Sequence, residues 1–277
     1  MLDFVEPAEE RPNKSTIIIY PRFLIKKSKD LMIRGGDFYA IWVEDKHRWS
    51  TEEDEVTRQV DKIILDYAEK KYGHSDEAVV RCRLMKYSDS GAMDKWRAYT
   101  TKHMRDNFHE LDDELTFQGE EMDKKKYSSH SLPYALAPGE HKNWDRLMDV
   151  LYSPDEKRKI EWAIGCIVSG DSKTVQKFLV LHGAGGTGKS TVINIMEWLF
   201  EGYFAPFKSR ALGDPNNQFA LEPLKNNPLV AIEHDGNLAY IEDNTTLNSI
   251  ISHEVMPVNA KYSRMYSSKF RSFLVIG

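Results

Sequence analysis

Gly183-Ala184-Gly185-Gly186-Thr187-Gly188-Lys189-Ser190 decides how this chain is read. The stretch fits the pattern G-x-x-x-x-G-K-[ST] at every fixed position. Phe178-Leu-Val-Leu181 precedes it and predicts a short buried strand. Thr191-Val-Ile-Asn-Ile-Met-Glu-Trp-Leu-Phe200 follows it and predicts a helix. Strand, glycine loop and helix are the setting in which such a loop holds phosphates. The glycines let backbone N–H groups turn inward around phosphate oxygens, and the helix adds the positive end of its dipole. Residues 183 to 191, Thr191 included, are the expected nucleotide-binding set. Lys189 is expected at the β- and γ-phosphates of ATP, and Ser190 on Mg²⁺.

A phosphate loop needs a partner strand that ends in an acid. Leu229-Val-Ala-Ile232 is a suitable apolar run, and Glu233-His234-Asp235 follows at once. Glu233 is expected in the metal shell and Asp235 in water activation or metal support, with the roles open to exchange. Asp235 has a plainer alternative, capping the turn at Gly236. His234 is expected as a hydrogen-bonding residue rather than a ligand.

Val258-Asn-Ala-Lys-Tyr-Ser-Arg-Met-Tyr-Ser-Ser-Lys-Phe-Arg271 contains several cations and no acid. Tyr262, Tyr266 and Phe270 are interleaved among them, an arrangement in which cations meet phosphates and rings stack on bases. Lys261, Arg264 and Lys269 are the candidate contacts to single-stranded DNA. A surface hairpin with solvated charges is the alternative. Ser272-Phe-Leu-Val-Ile276 predicts another strand of the sheet.

Toward the amino terminus the patterns are weaker. Residues 1–35 mix a polar start with the apolar run Thr16-Ile-Ile-Ile-Tyr20, and Asp37 to Val43 predicts a strand. Ser50-x-x-Glu53 has the form of a capping box. After it, Val56, Val60, Ile63, Ile64 and Tyr67 recur at helical spacing over 52–72, and Gly73 ends the helix. Residues 94–108 predict a further helix. The run Lys124-Lys-Lys126 reads as a solvated face, with a DNA contact as the second reading. Two prolines and a glycine in Leu132-Pro-Tyr-Ala-Leu-Ala-Pro-Gly139 mark a boundary. Helices are expected over 141–152 and after Ser153-Pro154-Asp155-Glu156, where a serine cap, a proline and a glutamate form a start signal. The expected domains are therefore residues 1–135, a mixed α+β but largely helical region, and residues 136–277, an α/β core with a parallel sheet.

The chain has 277 residues, 41% hydrophobic and 29% charged, with a net charge of −5. That balance excludes a globally basic DNA-coating protein, although not a local basic strip. No apolar run approaches the roughly 20 residues that span a bilayer, so no membrane partner is expected. Two cysteines in no metal or disulfide pattern fit a reducing cytoplasm.

The order of parts resembles the superfamily 3 helicases of phage, plasmid and poxvirus-type primase–helicase proteins. Phe178 to Thr191 matches that family's strand and phosphate loop. Phe219-Ala-Leu-Glu-Pro-Leu224 with Leu229 to Asp235 resembles its acidic strand and lead-in. Leu247 to Glu254 followed by Val258-x-x-Lys261 resembles its next motif, in which a hairpin-tip lysine contacts DNA. The resemblance covers about residues 36–277, strongly from 144 onward. It implies an AAA+-like P-loop NTPase core and an ATP-dependent DNA helicase of phage or plasmid replication. The intact protein would work as a homo-hexamer beside a primase domain or protein, in the host cytoplasm if phage-encoded. A DNA-packaging or helicase-loading ATPase, or a nucleotide-binding switch, is the alternative. Asn248 stands where the family commonly has lysine, and the Glu-His-Asp order is unusual. The family's sensor asparagine, arginine finger and helical lid would follow Gly277. The resemblance thus implies a fragment with weak nucleotide binding and slow hydrolysis. Apolar surface at Leu179, Val192, Ile232, Leu274 and Ile276 is expected to be partly exposed.

Overall fold

Four short apolar runs of the carboxy-terminal half become one parallel sheet. They are β7 (Leu179–Val180), β8 (Phe204–Pro206), β9 (Val230–Glu233) and β12 (Phe273–Ile276), in the spatial order β7-β12-β9-β8. All three pairings are parallel, with Val275 opposite both Leu179 and Ile232, and Ala205 opposite Ala231. The last strand in sequence is thus inserted between the first and the third. All four residues of β12 are buried, as a strand covered on both faces requires. Strand alternation sends Phe273, Val275, Val230 and Ile232 into one core and Leu274, Ile276 and Ala231 into another.

This computed structural model describes residues 2–14, 16–33, 39–73, 79–82, 92–103, 109, 111–214, 216–241, 243–259 and 265–277. Two compact units emerge: Met1–Leu111 with Met122–Ser129, and Asp112–Glu121 with His130–Gly277. The chain therefore passes between units more than once, rather than at a single boundary after residue 135.

In the second unit, the first core lies under α3 (Lys142–Leu151), α4 (Pro154–Ser169) and α6 (Lys189–Leu199). Met148, Ile160, Ala163, Ile167, Val192, Ile193 and Met196 supply their buried faces. The short α5 (Ser172–Val175) leads into β7, and α7 (Ser209–Leu212) follows β8. The second core lies under α8 (Thr245–Ile251) and an antiparallel hairpin, β10 (Val255–Val258) with β11 (Tyr266–Lys269). Leu247, Ile250, Val258 and Phe270 are its buried contributions. Leu179, Val192, Ile232, Leu274 and Ile276 are all buried, contrary to the exposure expected of them. The two helix layers and the hairpin already cover both faces of the sheet.

The first unit corrects the expectation of a largely helical region. It holds two three-stranded sheets. One is β1 (Val5–Asn13), β2 (Thr16–Phe23) and β6 (Val79–Cys82) in the order β1-β2-β6; the other is β3 (Leu31–Ile33), β4 (Tyr39–Val43) and β5 (Arg48–Ser50). Among the described residues its helices are α1 (Glu53–Tyr72) and α2 (Ala92–His103). Val56, Val60 and Ile63 of α1 pack with Phe4, Ile41 and Trp96, and Phe4 stacks on Trp96 at 5.2 Å. The capping box at Ser50 does not form. Ser50 ends β5, its hydroxyl accepts the Glu52 N–H at 3.2 Å, and the N-cap is Glu52. Glu55, buried in the first turn, bonds Lys46, Arg58 and Gln59 instead. Burial pushes its carboxyl up, but those three donors outweigh it and hold the group at about 2. Among the described residues no helix is long and apolar enough to cross a membrane.

Candidate functional site

The glycine loop leaves β7 at the carboxyl edge of the parallel sheet and ends at the first residue of α6. Gly186 and Gly188 have φ of 80° and 84°, the left-handed region that an L side chain rarely adopts. Gly188 is also packed close: a Cβ there would lie 2.7 Å from Leu151 Cδ1. The end of α3 thus holds the loop from below. Thr187 donates its hydroxyl to the Ala184 carbonyl at 2.9 Å. Lys189 donates its ammonium to the carbonyls of Gly183 and Ala184 at 2.8 and 3.0 Å, which places a positive charge in the mouth of the loop.

The start of α6 has no cap. Gly188 is its N-cap, no side chain accepts from its first turn, and no acid lies in that turn. Among the described residues, the backbone N–H groups of 185–191 find no acceptor. A helix that leaves these donors open, under the positive end of its dipole, is built for an anion. A Cβ built on Gly185 or Gly186 meets nothing within 4 Å, so the space above the loop is open. Ser190 and Thr191 are exposed at the same end.

Beside the loop lies a cavity of about 450 Å³, an ordinary size for a small-molecule site. Leu151, Tyr152, Ile160 and Leu179 give it an apolar wall, and Lys159 and Lys189 border it. The Tyr152 hydroxyl is buried without a partner, and burial pushes its pKa up. The open N–H donors, the Lys189 ammonium and the cavity beside them fit the phosphates and the base of a nucleoside triphosphate.

Glu233 ends β9, one strand away from β7, at the same carboxyl edge of the sheet. Its carboxylate accepts the Ser209 N–H at 2.9 Å, which ties it to the start of α7. Backbone bonds lock the ends of β9 and β12 together: Gly277 N–H to the Glu233 carbonyl at 2.8 Å, and Gly236 N–H to the Gly277 carbonyl at 2.7 Å. A Cβ on Gly236 would lie 2.3 Å from Ile276, so only glycine fits that turn. Asp235 is exposed in the turn and makes no side-chain bond among the described residues. His234 pairs with Glu197 of α6 at 2.8 Å, a hydrogen-bonding role that links α6 to the acidic turn. Among the described residues no three His, Cys, Asp or Glu side chains cluster as a metal cage. Mg²⁺ needs no such cage, because it keeps several waters and is held through one or two protein groups and substrate phosphates.

The basic strip forms the expected hairpin, but its parts have separate fates. Lys261, Arg264 and Tyr262 lie outside the described residues. Lys269 is exposed on β11. The Lys173 amine beside it pulls Lys269 below the usual lysine range. Arg271 is paired with Asp113. Phe270 is fully buried in the second core, so it is not available to stack on a base. The hairpin exit is pinned by Asn227, whose amide donates to the Lys269 carbonyl at 3.0 Å and accepts the Arg271 N–H at 3.1 Å. No sequence pattern marks Tyr152 or Glu197, the partner of His234. Asn227 carries a signal, as an asparagine before Pro228.

Comparisons with known proteins are sparse. A family of unknown function, DUF5906, matches residues 181–277, from the end of β7 through β12. No curated protein matches. Among solved structures, the apo A form of the NrS-1 C-terminal region is similar at 15% identity and a TM-score of 0.47. The similarity covers 86% of this chain and 50% of that one, so the chain spans about half the length of that structure.

Proposed function

We propose that this chain is the ATPase core of a DNA helicase of phage or plasmid replication, of the superfamily 3, AAA+-like kind. The observation that carries it is the uncapped start of α6, with Lys189 in the loop mouth and Glu233 at the same sheet edge. In this reading the N–H groups of 185–191 bind the β- and γ-phosphates of ATP. Lys189 leaves its two carbonyls for the γ-phosphate. The Ser190 hydroxyl serves Mg²⁺, which neutralises charge on the phosphate oxygens. Glu233 serves the metal shell, and Asp235 activates the attacking water or supports the metal, with the two roles open to exchange. His234 and Glu197 transmit the state of the phosphate-loop helix to that acid. Lys269, with Lys261 and Arg264, faces single-stranded DNA. A homo-hexamer that works beside a primase completes the reading.

The test is ATP turnover by the full chain with and without single-stranded DNA. DNA-stimulated turnover that Lys189→Ala removes is the expected result. Turnover that needs Lys189 but ignores DNA would favour a nucleotide switch over a helicase. Turnover indifferent to Lys189 would remove the reading altogether.

A further inference from the structure

The hairpin of the second unit has an outward face as well as a tip. In its ladder Val255 stands opposite Lys269 and Pro257 opposite Ser267, while Met256, Val258 and Tyr266 turn toward the second core. Val255 is 69% exposed, and Pro257, Ser267 and Lys269 are exposed with it. This face carries short side chains, a hydroxyl and an ammonium, and neither strand contains an acid.

The open end of the hairpin is fastened to α5. His253 lies two residues before β10 and bonds the Ser172 hydroxyl at 3.0 Å, and both are buried. On the other strand Asn227 grips the Lys269 carbonyl and the Arg271 N–H. Lys173 follows Ser172 directly, and its amine comes within hydrogen-bond reach of the Lys269 amine. Both lysines are exposed, and neither has an ion-pair partner among the described residues. Their backbones are anchored on both sides, so the two charges stay close even where the long stems swing.

The acids nearby keep their charge, yet they do not cancel this pair. Asp113 is paired with Arg271 and also acts on Lys269, but Lys173 outweighs it and Lys269 stays below the usual lysine range. Asp171 accepts the Ser169 hydroxyl, and Glu254 accepts the Ser249 hydroxyl. The buried His253 feels Lys269, Lys173 and Arg271 in the same sense as its burial, and none of these carboxylates offsets them. The local field is therefore cationic although the chain has a net charge of −5.

Two ammonium groups held side by side repel, and an anion between them turns that repulsion into two charge-assisted bonds. The place is an open face rather than a pocket, so a small anion would meet little besides solvent there. A strand phosphate gains more, because its neighbours continue along the hairpin. Ser267 lies two residues from Lys269 on the same face, about 6.6 Å along the strand, and offers a hydroxyl to the next step of a nucleic-acid backbone.

We propose that Lys173 and Lys269 together hold one phosphate of a single nucleic-acid strand that runs along the outward face of the hairpin, past Ser267. This rests on the reading that the hairpin meets a strand, and it adds α5, which that reading does not use.

The experiment uses the full chain and a fluorescent oligothymidylate of about fifteen nucleotides, near the upper site size of strand-binding modules. Binding is measured without ATP, so the result does not depend on turnover. Circular dichroism checks that the variants fold. Lys173→Gln should weaken binding by about tenfold, the order of one charged hydrogen bond, and Lys173→Arg, which keeps the charge, should restore it. The double variant Lys173→Gln with Lys269→Gln should lower the salt slope by about 0.7, the value for one phosphate of a single strand. A fall of about 1.4 would mean two separate contacts and would overturn the shared phosphate. Unchanged affinity in Lys173→Gln beside a loss in Lys269→Gln would overturn the proposal and leave the hairpin reading in place. No effect of either substitution would end both. Inorganic phosphate that displaces the strand better than chloride at equal ionic strength would also overturn it, in favour of a small-anion site.

Discussion

Helices α4 and α6 lie in the same unit and pack on the same core, yet they begin in opposite ways. At α4, the Ser153 hydroxyl accepts the Glu156 N–H at 3.4 Å and the Glu156 carboxylate accepts the Ser153 N–H at 2.8 Å. Pro154 removes one donor that would otherwise need a partner. The two Ser153 groups also hold the Glu156 carboxyl below its usual range. At α6 there is no cap and no acid, and among the described residues no acceptor for the N–H groups of 185–191. Only a lysine stands over the loop. A helix start that satisfies itself is structural. One that leaves its donors open to solvent, at the carboxyl edge of a parallel sheet, is set for a ligand.

The contrast breaks first at Lys189. Lys189→Ala should lower ATP turnover by about 10²–10³-fold, the order of losing one preorganised donor to transferring charge. Steady-state turnover under saturating MgATP measures it, and an unaltered rate would make the α6 start as inert as that of α4.

The next largest effect concerns a polar pair that is satisfied internally. The buried His253 bonds Ser172 at 3.0 Å, and burial, then Lys269, Lys173 and Arg271, lower its pKa to about 4. An unfolded histidine binds its proton near 6.5, so between 6.5 and 4 the unfolded state takes up more protons. Stability from this group is complete above pH 6.5 and is lost as pH falls toward 4, by about 3 kcal/mol. Urea unfolding across that range should show the loss, and His253→Gln should flatten it. A profile that stays steep in the variant would assign the acid sensitivity to other groups.

Third, Glu233→Gln should keep ATP binding but slow hydrolysis by about 10²-fold, as for loss of a positioned acid–base group. If Asp235→Asn produces that pattern instead, the roles of the two acids exchange. The smallest effect belongs to α4. Ser153→Ala should cost about 1 kcal/mol of stability and leave ATP affinity unchanged. Loss of affinity there would show that the two helix starts are coupled, not contrasted.

What the sequence disclosed follows the strength of local pattern. Leu229 to Ile232 and Ser272 to Ile276 were legible as strands because both of their faces are buried, which leaves continuous apolar runs. The start of α4 was legible because serine, proline and glutamate fall at fixed offsets. By contrast β1, Val-Glu-Pro-Ala-Glu-Glu-Arg-Pro-Asn, gave no strand signal. It lies at the edge of its sheet, where two prolines and charged side chains are tolerated, and only pairing with β2 makes it a strand. The ring spacing of 262, 266 and 270 misled for the opposite reason. Phe270 looks like a stacking residue in one dimension, but the chain turns it into the core next to Leu274. In the site, the loop, Lys189 and Glu233 were legible from motif and strand end. Tyr152 was not, because its orphaned hydroxyl exists only where α3 and α4 meet the loop.

Amide hydrogen exchange on the full chain, with and without saturating MgATP, tests the central claim most directly. The peptides that cover 185–191 should exchange freely in the absence of nucleotide and become protected when it is added, while those covering 153–157 stay unchanged. The protection should vanish in Lys189→Ala. Exchange at 185–191 that is indifferent to nucleotide, or protection that survives the loss of Lys189, would contradict the assignment of the open α6 start as the phosphate site.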